Sequence, residues 1–157
     1  MTVRLIDLTV PILEALAGGE VTSAEAALRV AVPPDFAAET GKWEFFASSG
    51  WPIHAVVRDD TIVGDAGFKG APDSAGAVEI GYAILEPQRR RGYATAAVRL
   101  LLDIAAAEPN ARLVRAVINP DNAASIAVVT RTGFTQHGEV MDPQEGRHLL
   151  FTRPPRI

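Results

Sequence analysis

The sequence contains no cysteine among its 157 residues. That absence excludes disulfide bonds, thiolate metal sites and a covalent cysteine intermediate, and it is consistent with a reducing compartment. Basic residues are also scarce, because 15 lysines and arginines stand against 19 acidic residues and give a formal charge of −4. A protein that lives on nucleic acid usually carries a basic excess, so we expect no nucleic-acid partner.

Long hydrophobic runs are lacking as well. The longest apolar stretch, AAVRLLLDIAAA, is interrupted by Arg99 and Asp103 and is too short to span a bilayer. The stretch MTVRLIDLTV has Asp7 within its apolar part and no basic leader, which is atypical of a secretion signal. We therefore expect a cytoplasmic protein with no membrane partner, and a length that suits one domain over residues 1–157.

Metal-binding patterns are absent from the sequence too. The histidines His54, His137 and His148 lie on separate predicted strands, and neither HxH nor HExxH occurs. Single histidines at such positions are more often packed or surface residues than ligands. The sequence therefore predicts no metal.

Hydrophobic periodicity predicts a mixed α/β sheet with helices on its faces. Strands are expected at VRLIDL, IHAVVR, TIVGDAGFK, AVEIGYAIL, RLVRAVI, FTQHGEV and HLLFT. Helices are expected at TVPILEAL, TSAEAALRVAV, ATAAVRLLLDIAAAE and NAASIAVVTRT, with VPPDF irregular and GKWEFFASSGW a short helix or loop. The second, third and fourth strands should form an antiparallel meander. Strands followed by strand–helix–strand–helix–strand order indicate a mixed, mostly antiparallel sheet.

The stretch EPQRRRGYAT follows a predicted strand and enters a helix at Gly92. The first turn of a helix exposes unpaired backbone N–H groups and favours an anion there. Because Gly92 has no side chain and Ala94 almost none, the backbone of residues 90–95 can approach a bulky anion closely. Three consecutive arginines add donors for phosphate oxygens. The stretch therefore indicates a diphosphate site, although a solvated basic face is the simpler alternative.

Three motifs in this half of the chain resemble those of the GNAT acyl-CoA N-acyltransferases. RRRGYA, residues 89–94, has the form [Q/R]-x-x-G-x-[G/A] of the family's coenzyme A loop. NPDNAASIAVVTRTGF, residues 119–134, is similar to the second cofactor segment of the branch that acetylates ribosomal-protein N-termini. EIGY, residues 79–82, precedes the loop as in the same branch. The N-terminal half matches the family only in outline.

The resemblance implies a sheet of six or seven strands with helices on both faces, in which two strands splay into a V. Acetyl-CoA would be the acyl donor, and its pantetheine arm would lie in the V like an added strand, bonded to backbone groups near Tyr82 and Ile84. The acceptor would be a small-molecule amine or a peptide N-terminus. The implied cofactor-binding residues are Tyr82, Ile84, Arg89, Arg90, Arg91, Gly92, Tyr93, Ala94, Thr95, Asn122 and Ser125.

Three residues are candidates for the chemistry. Glu79 lies in an otherwise apolar strand and is the candidate general base. The alternative is a pairing with an arginine on a neighbouring strand, and the EIGY match favours the base. The backbone N–H of Tyr82 is the candidate oxyanion donor. Many relatives have a tyrosine acid at the position of Val129, which has no proton to give. Ser125 could protonate the leaving thiolate instead, or it could only cap its helix or pack against it. A third alternative is that the thiolate leaves without any acid.

Other residues leave alternatives open. Asn122 could cap its helix or hold a pantetheine carbonyl, and we favour the second because Asp121 is available as a cap. Tyr93 could pack or contact adenine. An aromatic group falls where the family builds its acceptor pocket and belongs either to the core or to that pocket: Trp43, Phe45, Phe46 and Trp51.

The sequence is compatible with three candidate functions. An acetyltransferase is favoured over a non-catalytic acyl-CoA binding or sensing domain, because EIGY supplies a candidate base. An RNA-binding module that uses Arg89 to Arg91 is disfavoured by the acidic net charge. Apolar residues in the final strands could support a homodimer, but nothing in the sequence requires one.

Overall fold

A computed structural model describes residues 2–156, which form one seven-stranded sheet flanked by six α-helices. The strands are β1 (Val3–Asp7), β2 (Ile53–Arg58), β3 (Thr61–Phe68), β4 (Ala77–Ile84), β5 (Leu113–Ile118), β6 (Thr135–Asp142) and β7 (Gly146–Arg153). The helices are α1 (Val10–Ala17), α2 (Val21–Leu28), α3 (Pro34–Ala37), α4 (Thr40–Ser49), α5 (Tyr93–Ala107) and α6 (Ala123–Arg131).

The sheet has the strand order β1-β2-β3-β4-β5-β7-β6. Strands β2, β3 and β4 form the predicted antiparallel meander. Only β4 and β5 pair in parallel among the described strands, since α5 crosses from the end of one to the start of the other. The predicted fold class, a mixed and mostly antiparallel sheet, is confirmed.

Each face of the sheet buries its own apolar cluster. Helices α5 and α6 cover one face, and their fully buried members include Val98, Leu101 and Val129. Helices α1 to α4 cover the other face around Trp43, whose indole Nε1 donates to the Phe36 carbonyl at 3.0 Å. Alternate residues of the central strands contact opposite clusters, as the period of two requires. The prediction of helices on both faces is confirmed, and Trp43 is a core residue.

Helix α5 carries the predicted anion loop at its start. Its buried side includes Tyr93, Ala97, Val98, Leu101 and Ala105, which fall on one face at helical periodicity, so the helix is amphipathic and fixed to the sheet. It has 15 residues, and no helix between residues 2 and 156 is both long and apolar enough to cross a membrane. The loop before it is therefore held at one end by a buried helix and at the other by β4.

Two local predictions were wrong. The stretch VPPDF is not wholly irregular, because Pro34 begins the short helix α3, where the fixed φ of proline is suitable and its missing N–H is not needed. Helix α2 stops at Leu28 instead of continuing to Val32, because Arg29 adopts a left-handed φ of 60°. Both differences lie in the helical layer, away from the loop at Gly92.

Candidate active site

The site begins where β4 and β5 separate. Among residues 2–156, their parallel pairing runs from Ala77 to Glu79, and the last pair joins Glu79 to Arg115. On its other side β4 stays paired with β3 as far as Ile84. The second half of β4 therefore has a strand neighbour on one side and a gap on the other.

Backbone groups of β4 point into this gap. The Lys69 N–H donates to the Glu79 carbonyl at 2.8 Å, and the Leu85 N–H donates to the Val63 carbonyl at 2.9 Å, so the odd-numbered residues face β3. Backbone groups alternate in direction along a strand, and those of Tyr82 and Ile84 therefore face the gap. This edge is the surface that an added strand requires.

A cavity of about 670 Å³ occupies the gap. It is bounded by the end of β4, the loop that follows, the first turn of α5 and one side of α6. All predicted cofactor-binding residues except Arg91 line it: Tyr82, Ile84, Arg89, Arg90, Gly92, Tyr93, Ala94, Thr95, Asn122 and Ser125. Glu79 is not among the lining residues.

The start of α5 presents free donors to the cavity. Ala96 is the first residue whose N–H bonds back into the helix, to the Gly92 carbonyl at 3.1 Å. The N–H groups of the preceding helical residues, Tyr93 to Thr95, thus have no intrahelical acceptor. Among the described residues, no side chain caps this helix, and Gly92 has a left-handed φ of 85°. The arrangement suits an anion.

The cationic side chains of the cavity have different partners. Arg89 Nε donates to the Ile84 carbonyl at 2.9 Å, which ties the loop to β4 and uses one of the acceptors in the gap. Arg131, on α6, reaches across the cavity and donates from Nη1 to Thr95 Oγ1 at 3.2 Å. Arg90 is exposed and has a left-handed φ of 65°. Positive charge therefore surrounds the helix start on both sides of the gap.

Sequence reasoning missed several lining residues, of which Gln88 and Arg131 are polar. Gln88 ends a single 3-10 turn, Glu86–Gln88, and its position before RRRG was the only available signal. Arg131 lies in the last turn of α6, where a basic residue is ordinary because it complements the helix dipole. Its role depends on how α6 packs against α5, which no local pattern reveals.

Helix α6 begins at the other end of the cavity. Asn122 is its N-cap, because Asn122 Oδ1 accepts from the Ser125 N–H at 3.1 Å. The expectation that Asp121 would be the cap was therefore wrong. The backbone N–H of Asp121 donates to Asn119 Oδ1 in the turn before the helix. Tyr82 reaches this helix from β4, with its hydroxyl 3.4 Å from the Ser125 carbonyl oxygen. Burial raises the pKa of the Tyr82 phenol, and its contact with Ser125 opposes that effect.

Glu79 lies on the opposite face of β4 from Tyr82, because side chains alternate along a strand. Its carboxylate is 3.1 Å from Lys69 Nζ and 3.3 Å from Arg115 Nε. Its side chain is 22% exposed, so it retains some contact with solvent. The pairing with an arginine on a neighbouring strand, which the sequence left open, is present.

A second ion pair lies farther along the same face. Asp65 is the cross-strand partner of Ala83, and its carboxylate is 2.5 Å from Lys42 Nζ on α4. Burial raises the pKa of the Asp65 carboxyl, and Lys42 opposes this. Burial also acts to lower the pKa of Lys42, but Asp65 and Glu39 outweigh it and raise that pKa. The short distance between Lys42 Nζ and the Asp65 carboxylate places this pair on the same face of the sheet as Glu79.

Aromatic side chains lie at the edge of this face. Phe45 is 49% exposed, and its ring meets Trp51 edge-on with centroids 5.2 Å apart. Phe46 contacts both rings. These three residues, unlike the buried Trp43, form an accessible apolar cluster.

Comparison with known proteins identifies the family of this chain. The family described as acetyltransferase (GNAT) domain matches residues 13–135. An uncharacterized N-acetyltransferase of Bacillus subtilis, YjdG, is 33% identical over 89 residues, which are 55% of this chain and 53% of that protein. The alignments span about half the length of the curated relatives that the chain matches.

Solved structures resemble the whole fold. The aminoglycoside acetyltransferase AAC(6')-Ib in complex with coenzyme A aligns with a TM-score of 0.71 at 17% identity, covering 98% of this chain and 95% of that one. RimL, a ribosomal L7/L12 alpha-N-protein acetyltransferase in complex with coenzyme A, gives 0.70 at 18% identity, covering 98% and 94%. At these identities the likeness establishes the fold alone.

Gly92 makes a testable contribution to the loop. A β-carbon there would meet no atom within 4 Å, so the cost of Gly92→Ala comes from the left-handed φ alone. We expect a loss of about 1 kcal/mol in the free energy of unfolding. Gly41→Ala, in helix α4 with equally open surroundings, should instead add about 0.5 kcal/mol. Urea denaturation measures both, and a gain in stability at Gly92 would contradict the strain.

Proposed function

The chain belongs to the GNAT acetyltransferase family, and we propose that it transfers an acetyl group from acetyl-CoA to a primary amine. The reaction would be a direct attack by the amine within a ternary complex. The observation that carries the proposal is the open edge of β4 leading to the start of α5. One end of this path has unpaired strand groups and the other has unpaired helix N–H groups, which match the amide-containing arm and the diphosphate of coenzyme A.

The direction of the cofactor follows from the order of these elements. The diphosphate would lie at the loop after β4, near Gly92 and between Arg90 and Arg131. The pantetheine arm would then run back along β4, passing Ile84 before Tyr82. The thioester would lie near the point where β4 meets β5, at Glu79 and Arg115. No metal is needed for this reaction.

The oxyanion donor would lie in the gap beside β4, and the base would lie on the α1–α4 face of the sheet. Attack by the amine nitrogen forms the new C–N bond and places negative charge on the carbonyl oxygen, where the Tyr82 N–H can donate a hydrogen bond. Glu79, on the α1–α4 face, would accept the nitrogen's proton directly or through a water molecule. The C–S bond then breaks, and its electron pair leaves on sulfur.

The ion pairs of Glu79 favour a second candidate function. The Glu79 carboxylate already has two cationic neighbours, Lys69 and Arg115, and such an ion-pair cluster can serve the sheet structurally without any catalytic role. A non-catalytic acyl-CoA binding or sensing domain would need the cavity but not the base. The partial exposure of Glu79 still supports the enzymatic function, because water can reach the carboxylate.

The acceptor would approach the face that carries Glu79. Its neighbours there are the Asp65–Lys42 pair and the exposed cluster of Phe45, Phe46 and Trp51. A primary amine flanked by an apolar group suits this surface, and both a peptide N-terminus and a small amine meet that description. These two acceptor classes are proposed because the fold is similar to those of RimL and AAC(6')-Ib, which are a protein acetyltransferase and an aminoglycoside acetyltransferase, respectively.

The cofactor site is tested by Gln88→Glu. The substitution keeps the shape of the side chain and adds a negative charge to the wall of the cavity, where it opposes the phosphates. We expect the Kd for acetyl-CoA, measured by calorimetry, to rise roughly tenfold, which is about 1.4 kcal/mol.

Gln136→Glu is the matched control. It makes the same chemical change on β6, outside the cavity, and should leave the Kd nearly unchanged. If both variants weaken binding equally, net charge and not the cavity is responsible. An absence of acetyl-CoA binding by the wild-type protein would refute the proposed function.

The base is tested by Glu79→Gln. With an amine panel as acceptor, kcat should fall by roughly a hundredfold or more, because a positioned base contributes about that much. The Kd for acetyl-CoA should change little, since Glu79 does not line the cavity. Lys69→Gln breaks one of the ion pairs of Glu79 and keeps the carboxylate, and Lys69 lies beyond the end of β3, away from the gap, so this variant should retain most turnover. Unchanged kcat in Glu79→Gln would exclude the base, and tight acetyl-CoA binding without turnover in the wild type would favour the sensing domain.

A further inference from the structure

The proposed reaction leaves a negative charge on sulfur, and the inference that follows depends on that proposed function. A thiolate that departs inside a cavity is stabilised by any hydrogen-bond donor that it meets there. The question is which donor the cavity offers at the end where β4 and β5 meet.

Most donors of the cavity lie at the wrong end. Arg89, Arg90 and the N–H groups of α5 surround the start of that helix, where the diphosphate would bind. Arg131 is tied to Thr95 at the same end. These groups are separated from the junction of β4 and β5 by the length of the pantetheine arm, so they cannot serve the sulfur.

The tyrosines of the cavity differ in availability. Tyr93 is 2% exposed and packs into the α5 cluster, with its ring 6.0 Å from the Arg58 guanidinium carbon. Tyr82 is only partly buried, and it extends from the edge of β4 across the gap to Ser125 on α6. Its hydroxyl therefore lies on the path of the arm, on the side facing α6.

The hydroxyl of Tyr82 is loosely held. Its distance of 3.4 Å from the Ser125 carbonyl oxygen exceeds the 2.5–3.0 Å that is usual for O–H···O bonds. A proton held so weakly can turn to a better acceptor without losing a strong bond. A sulfur anion beside the ring would be such an acceptor.

We propose that the Tyr82 phenol donates a hydrogen bond to the sulfur of bound coenzyme A and stabilises the departing thiolate. The C–S bond breaks, its electron pair stays on sulfur, and the phenolic proton remains on oxygen while it bridges to sulfur. The thiolate takes its final proton from solvent after release, and the proton lost by the amine leaves through the opposite face. No further reactant is required.

The acidities support a hydrogen bond without proton transfer. A free thiol has a pKa of about 8.5 and a free phenol about 10, so the proton favours the phenol. Burial raises the pKa of Tyr82 further, which keeps it protonated and able to donate. Glu79 and its partners Lys69 and Arg115 lie on the other face of the sheet, and the arginines that line the cavity lie at the diphosphate end. These charges should therefore be the same in the wild type and in a Tyr82 variant.

The titration of the coenzyme A thiol tests this directly and needs no acceptor amine. Coenzyme A is bound to the wild type and to Tyr82→Phe, and NMR follows the methylene protons beside the sulfur as the pH rises. A hydrogen bond to the thiolate should make the thiol of wild-type-bound coenzyme A titrate about one pH unit below that in Tyr82→Phe. Calorimetry at neutral pH should give similar Kd values for the two proteins, because the thiol is then largely protonated.

Each other outcome overturns the proposal. A thiol that titrates on the wild type no lower than free coenzyme A refutes it without any variant. Equal titrations in the wild type and Tyr82→Phe refute it as well. If Ser125→Ala abolishes the difference from free coenzyme A and Tyr82→Phe does not, the serine is the donor. Failure of the wild type to bind coenzyme A is a separate result, because it refutes the proposed function on which the role of Tyr82 rests.

Turnover provides a second measurement. With an active amine acceptor, kcat of Tyr82→Phe should be roughly tenfold to a hundredfold lower, the effect expected of one lost hydrogen bond to a charge. The KM for acetyl-CoA should change much less. A loss confined to KM would show that the ring only positions the cofactor, and would contradict the role of the hydroxyl.

Discussion

The separation of β4 from β5 is the constraint on which the rest of the site depends. A strand inside a sheet satisfies its backbone on both sides, and a strand that loses one neighbour must find other partners for those groups. Here the loss occurs after the pair of Glu79 and Arg115, while β3 keeps the other side of β4 in place. The freed groups of Tyr82 and Ile84 are therefore rigidly presented. The same strand leads into the loop and the start of α5, so a polar edge and an anion site lie along one continuous path.

The two faces of β4 give this path different environments. Glu79 is on the face of α1 to α4, where its cationic partners and the Asp65–Lys42 pair also lie. Tyr82 is on the face of α5 and α6, beside Ser125. A thioester held in the gap would meet a carboxylate on one side and a phenol on the other. Such a division follows from strand alternation alone, because positions 79 and 82 differ by an odd number of residues.

Sequence patterns predicted the parts of this molecule that depend on local chemistry. Gly92 marked the anion loop at the start of α5 because a residue without a side chain lets the backbone approach an anion closely. The β-branched runs marked the meander because each is bounded by turn residues. The pairing of Glu79 with an arginine on a neighbouring strand was one of two alternatives in the sequence. The contact with Lys69 was not predicted, because it depends on the register of β3 and β4. Arg131 could not be identified, because its place opposite Thr95 arises from the packing of α6 on α5. Asp121 and Asn122 are equally good caps in sequence, and only the backbone geometry decides between them.

Amide hydrogen exchange along β4, with and without coenzyme A, is the most direct test of the open edge. The N–H groups of Tyr82 and Ile84 face the gap, whereas those of Gly81 and Ala83 are bonded to β3 and serve as internal controls. Our account predicts that coenzyme A slows exchange at Tyr82 or Ile84 and leaves Gly81 and Ala83 slow in both states. Uniform exchange at all four residues, unaffected by bound coenzyme A, would mean that the cofactor does not pair with β4. That result would contradict the central claim.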